Sequence, residues 1–167
     1  MKPALLIIGM QNGLYSGESS SSMTSAAEYI REVAGYFRQA GAPIIWVQHT
    51  DAASGATAGS EACEIIDQLE RAPGELLIHK EHANGFRETE LAGLLGGYGV
   101  DVVVLTGYAA EEDLLATYRG ALDIEILPVM LRHGLASRDP ESLRFVEQIC
   151  DTVSYRLTGR MLENCGS

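Results

Sequence analysis

The sequence predicts an α/β protein whose parallel sheet is covered by helices on both faces. Three observations carry this. Apolar runs of strand length alternate with segments of helical period along the whole chain, the β-α-β pattern of a parallel sheet. The runs are near-continuous in Val, Ile and Leu, as strands buried on both faces require. The length of 167 residues corresponds to one domain of ordinary size, and no repeat or shift of composition divides it, so residues 1–167 are read as a single domain.

Taken in order, the expected strands are 4–8 (ALLII), 44–48 (IIWVQ), 75–79 (ELLIH), 101–106 (DVVVLT), 124–129 (IEILPV) and 153–157 (VSYRL). The first helix is expected to open at a capping box formed by Ser25 and Glu28 and to stop at Gly41 and Pro43. Between them Ile30, Val33, Ala34 and Phe37 form one apolar stripe. Further helices are expected around 89–97, burying Leu91, Leu94 and Leu95, at about 111–122, and from 140 to 151. The last has Pro140 in its first turn and Leu143, Val146 and Ile149 at helical spacing. Residues 61–70 read as a short helix or an irregular connection. The small polar stretches Ser16–Ser25 and Ala52–Ser60 read as flexible loops after strand ends, where a doubly wound sheet keeps its ligand site.

Composition excludes several classes. The net charge of −11 repels phosphate backbones and anionic headgroups, so neither nucleic acid nor membrane is an expected partner. The longest apolar stretches, Ala4–Ile8 and Val100–Leu105, are far below the roughly 20 residues of a bilayer span. Met1-Lys2-Pro3 leads into a run of strand length without the h-region of a signal peptide, and a cytoplasmic location is expected. Cys63, Cys150 and Cys165 form no C-x-x-C pair and read as free thiols. Gly96-Gly97-Tyr98-Gly99 precedes a strand instead of following one, which makes it a turn and not a nucleotide fingerprint. His79 with His82, and His49 with Asp51, offer too few ligands for a metal site; no metal or cofactor is expected.

Four stretches carry a family resemblance: ALLIIGMQNGLY (4–15), GSEACEIIDQLERAPGELLIHKEHANGF (59–86), VDVVVLTGYAAEEDLLATYRGALD (100–123) and LRHGLAS (131–137). In this order they resemble the isochorismatase-like hydrolases, the cysteine-hydrolase superfamily that includes nicotinamidases. The resemblance implies a three-layer αβα fold with a doubly wound six-stranded parallel sheet of order 3-2-1-4-5-6. It also implies a site of an Asp proton acceptor after the first strand, a Lys after the third, and a Cys nucleophile in the turn opening the helix after the fourth.

Carried over position by position, the Lys is Lys80, the Asp position is Gly9 and the Cys position is Asp113. Amide hydrolysis needs a nucleophile and a group to take its proton, and a glycine supplies neither. Cys63, expected away from the crevice, and Cys150, on the C-terminal helix, are not expected replacements. The expected ligand-binding set is Gly9, Gln11, Lys80, Phe86, Tyr108, Ala109 and Asp113, with Lys80 and Asp113 within about 4 Å of each other. Glu111 and Glu112 read either as a charged helix start or as part of an acidic pocket for a cationic or hydroxyl-rich ligand.

Two readings of function follow: a family member without the Asp–Lys–Cys amidase chemistry that binds a small molecule of unknown identity, or a divergent hydrolase using Asp113 with Lys80. An oligomeric scaffold is a third, and further copies of the chain are expected partners. Because the surrounding turns look unchanged, Gly9→Asp with Asp113→Cys is expected to rebuild the three-residue constellation.

Overall fold

The computed structural model describes residues 1–163; Cys165 lies outside the described residues. The chain runs β1 (Pro3–Ile8), α1 (Glu18–Ala40), β2 (Ile44–His49), β3 (Leu76–Lys80), α2 (Leu91–Tyr98), β4 (Val102–Tyr108), α3 (Leu115–Asp123), β5 (Leu127–Ala136), α4 (Pro140–Ile149), β6 (Thr152–Val153) and α5 (Tyr155–Glu163). The six strands form one parallel sheet in the order β3-β2-β1-β4-β5-β6, the order implied by the resemblance.

Every residue of β1 is buried, and alternation along the strand decides which face each serves. Leu5 and Ile7 meet Met23, Ile30, Val33 and Phe37 of α1 together with Leu162 of α5. Leu6 and Ile8 meet Leu91 and Leu95 of α2, Tyr118 and Ala121 of α3, and Val146 of α4. Each fully buried Leu or Ile contributes about 1.5–3 kcal/mol, so the two cores fix the strand register from both sides. At the entry end of the sheet, Glu75 accepts from the Arg38 guanidinium at 2.6 Å and from the Trp46 indole at 2.7 Å.

Three elements, α1, β5 and β6, differ from expectation. The helix α1 starts at Glu18, after Gly17, seven residues before the expected cap at Ser25. The serine run is therefore helical, because Ser19, Met23 and Ala26 continue the buried stripe and Ser19 Oγ bonds back to Leu14 O and Ser16 O at 2.7 Å. The fifth strand begins at Leu127; Ile124 to Ile126 instead close α3, with Ile126 N donating to Ala121 O, and the strand then runs on to Ala136 through a register shift opposite Leu105 and Gly107. The sixth strand is only Thr152–Val153. Residues 155–157 belong to α5, whose Thr158 and Leu162, four apart, are buried, and Ser154 Oγ accepts from Leu157 N at 3.3 Å. The connection 61–70 holds one 3-10 turn, Glu61–Cys63, and is otherwise irregular. Among the described residues no helix is long and apolar enough to cross a membrane.

Candidate functional site

The chain order reverses between β1 and β4, and in open α/β sheets a ligand crevice forms at the carboxyl ends of the strands flanking such a point. A cavity of about 230 Å³ lies there, lined by His49 at the end of β2, Tyr108 and Ala109 at the end of β4, Glu111 to Asp113 in the following turn, Arg138 after β5, and Leu14. The turn Ala110–Leu114 is a π-helical segment leading into α3, a departure often found at functional positions. The Tyr108–Ala109 peptide is cis.

Lys80 closes the floor at the end of β3, its side chain fully buried. Its Nζ donates to Asp113 Oδ2 at 2.9 Å and His82 O at 3.0 Å, and lies 3.3 Å from His49 Nδ1. The Lys80–Asp113 distance is within the salt-bridge reach expected from the sequence. An ammonium has three hydrogens and no acceptor, so all its donors are taken and His49 Nδ1 must accept. The His49 proton then sits on Nε2. Burial first, and the Lys80 charge second, lower the His49 pKa from its ordinary value, which keeps the ring neutral and able to accept. The loop after β3 is held to α3 by Gly85 N donating to Thr117 Oγ1 at 2.9 Å, four residues beyond Asp113.

Gln11 is buried beneath the crevice and does not line it. Its amide exchanges two 2.8 Å hydrogen bonds with the His49 backbone, Nε2 to His49 O and His49 N to Oε1, and so fixes the end of β2. Phe86 is half-buried against the α2/α3 core and also stands outside the cavity lining. Cys63, expected to lie away from the crevice, instead packs directly below it, its Sγ 3.8 Å from Gln11 Nε2 and 3.6 Å from His49 O. The irregular connection folds back over the strand ends, which its position in sequence does not reveal. Cys63 is buried and does not line the cavity.

Gly9 has φ +65°, and a Cβ built on it would lie 2.3 Å from Tyr108 O. That region is unfavourable for a side chain, and the overlap is with backbone. The expectation that Gly9→Asp fits an unchanged turn is therefore overturned: in this conformation position 9 has no room for a carboxylate.

Of the expected residues, the fold brings Lys80, Tyr108, Ala109 and Asp113 together. His49 and Arg138 were missed as site residues; His49 is the last residue of β2 and Arg138 lies two residues beyond β5, and this nearness to a strand's carboxyl end is the one signal in the sequence that points to them. Glu111 Oε1 accepts from Ser137 Oγ at 2.9 Å, while its Oε2 is buried without a partner among the described residues. The histidine pairs go elsewhere: Asp51 caps Ala53 N at 2.9 Å, and His82 Nε2 lies 3.0 Å from Glu88 Oε2 at the surface.

The family model of the isochorismatase domain matches residues 3–147. The chain belongs to the isochorismatase family. An isochorismatase family protein of Bacillus subtilis (strain 168), YddQ, is 33% identical over 171 residues, covering 97% of this chain and 84% of its own length. Ureidoacrylate amidohydrolase RutB of Pantoea ananatis is 27% identical over 108 residues, 56% of this chain, and the match spans only 43% of that protein. In structure, N-carbamoylsarcosine amidase from Thermoplasma acidophilum superposes with a TM-score of 0.80 at 25% identity, over 92% of this chain and 95% of the amidase.

Proposed function

We propose that this isochorismatase-family chain does not carry out the Asp–Lys–Cys amidase reaction and uses the crevice to bind a small molecule. The observation that carries the reading is at Gly9. The position of the proton acceptor has no side chain, and its backbone turns the Cβ direction into Tyr108 O. Two further observations support it. The lysine has no donor left for a substrate oxygen, since Asp113, His82 and His49 take all three. Among the described residues, none that lines the cavity bears a thiol or an aliphatic hydroxyl, the nucleophiles ordinarily used on amides.

In this reading Asp113 holds the charge of Lys80. A buried ammonium without a counter-ion is costly, and the carboxylate at the helix start is stabilised there by the macrodipole. The test is incubation of the purified protein at high concentration with nicotinamide, ureidoacrylate and N-carbamoylsarcosine, following ammonia release. The expected result is no release above buffer. Release that persists through purification and is abolished by Asp113→Asn would overturn the reading in favour of a divergent hydrolase.

A further inference from the structure

The crevice carries more charge than the Lys80–Asp113 pair consumes. Glu111 and Glu112 line it with no ion-pair partner among the described residues, and so does Arg138, an exposed side chain with neither hydrogen bond nor ion pair. Opposite charges thus share the wall of one small cavity without closing on each other to 4.0 Å. The Oε2 atom of Glu111 is buried and receives no hydrogen bond among the described residues, so this carboxylate keeps an unused acceptor. His49 presents Nε2–H as a neutral donor, because its other nitrogen faces Lys80.

We propose that the crevice takes a small zwitterion of the amino-acid class, with Glu111 receiving N–H groups of its ammonium and Arg138 and His49 Nε2–H receiving its carboxylate. The proposal rests on reading the crevice as a binding site and names what that site selects. A ligand with only a positive charge leaves Arg138 unpaired beside it. One with only a negative charge meets the Glu111 and Glu112 carboxylates. A zwitterion satisfies both ends, and charge-assisted hydrogen bonds of this kind are roughly twice as strong as neutral ones. Size agrees: about 230 Å³ is below the roughly 300–1,000 Å³ of sites for drug-sized ligands. Lys80 has no part in recognition beyond fixing the His49 tautomer.

The experiment is long-range ¹H–¹⁵N correlation NMR of the histidine rings in the full chain, with the His49 signals assigned through His49→Gln. The rings are titrated separately with glycine, L-alanine, glycine betaine, acetate and ethylammonium at matched concentrations. The expected result is an Nε2–H tautomer for His49 and a saturable shift of its Nε2 signal with glycine or L-alanine. Arg138→Gln and Glu111→Gln should each weaken that binding about tenfold, the equivalent of about 1.4 kcal/mol. Glu111→Gln keeps an oxygen for Ser137, and Arg138 is exposed, so both variants should fold. Betaine, which has no N–H, should bind at least about tenfold more weakly, as expected where buried polar groups are left unpaired. An Nδ1–H tautomer, equal binding of acetate or ethylammonium, equal binding of betaine, or no response to either amino acid overturns the proposal. Amide turnover would overturn the proposed function and leave this result standing. Failure of the amino acids with no turnover would do the reverse.

Discussion

Asp113→Asn isolates what the carboxylate does for Lys80. The Lys80 side chain is fully buried, Asp113 is 15% exposed, and the two are 2.9 Å apart. Removing one partner of a buried pair costs about 3–5 kcal/mol because the other charge stays buried. Two corrections reduce this here. The amide oxygen of Asn still accepts a hydrogen bond, and His82 O and His49 Nδ1 continue to hold Nζ. A loss of about 2–3 kcal/mol is therefore expected, lowering Tm by about 4–12 °C for a chain of this length. Lys80→Met removes the charge that needs the partner, so Asp113→Asn should cost little in that background. Urea unfolding followed by far-UV circular dichroism, on the wild type, both single variants and the double variant, gives the coupling directly. We expect about 2 kcal/mol, at the upper part of the range for residues in contact. A coupling below about 0.5 kcal/mol, the level reached by independent sites, would refute the claim that Asp113 is there to neutralise Lys80.

Two other outcomes follow from the same geometry. Gly9→Ala should destabilise by about 2–5 kcal/mol, the sum of a left-handed backbone and an overlap with Tyr108 O that costs as much as overpacking does; thermal melting that shifts by less than about 2 °C would show that the turn relaxes. His49 should make the protein acid-sensitive: its folded pKa is lowered, so the stability it contributes is complete above its unfolded pKa of about 6.5 and is lost as pH falls below that toward the folded value. His49→Gln, whose oxygen can still accept from Lys80, should flatten the pH dependence of the urea midpoint between about pH 6.5 and 5, and unchanged slopes would remove His49 as the cause.

The strands of the fold were legible because burial on both faces leaves Val, Ile and Leu little competition. The ends of elements were less so, for particular reasons. Serine has weak helix propensity, so the first two turns of α1 read as loop until tertiary packing of Ser19 and Met23 is known. Ile124 and Ile126 look like strand and serve as a helix end with Glu125 at positive φ. At the site, Lys80 and Asp113 were legible because position along a strand and turn fixes them. His49 and Arg138 were not, since their importance depends on which strands become neighbours. The restriction at Gly9 was least legible of all: it is imposed by a carbonyl 99 residues away in sequence, and no local pattern records that.

Trp46 is the one tryptophan of the sequence. It lies three residues before His49 in the same strand, buried to 2% exposure, with its indole N–H on the Glu75 carboxylate. The sequence also holds seven tyrosines, but Trp46 is its single indole, in one defined environment, and excitation at the red edge of the absorption band reads it alone. The Arg38 and Trp46 hydrogen bonds and the Ala72 amide outweigh burial and hold the Glu75 carboxyl below its ordinary value, so it remains ionised and bound to the ring in mildly acidic solution. Emission should accordingly stay constant while His49 titrates at the other end of the strand, and change only when β2 leaves the sheet. That separates protonation of the crevice from unfolding in one cuvette, with no label attached.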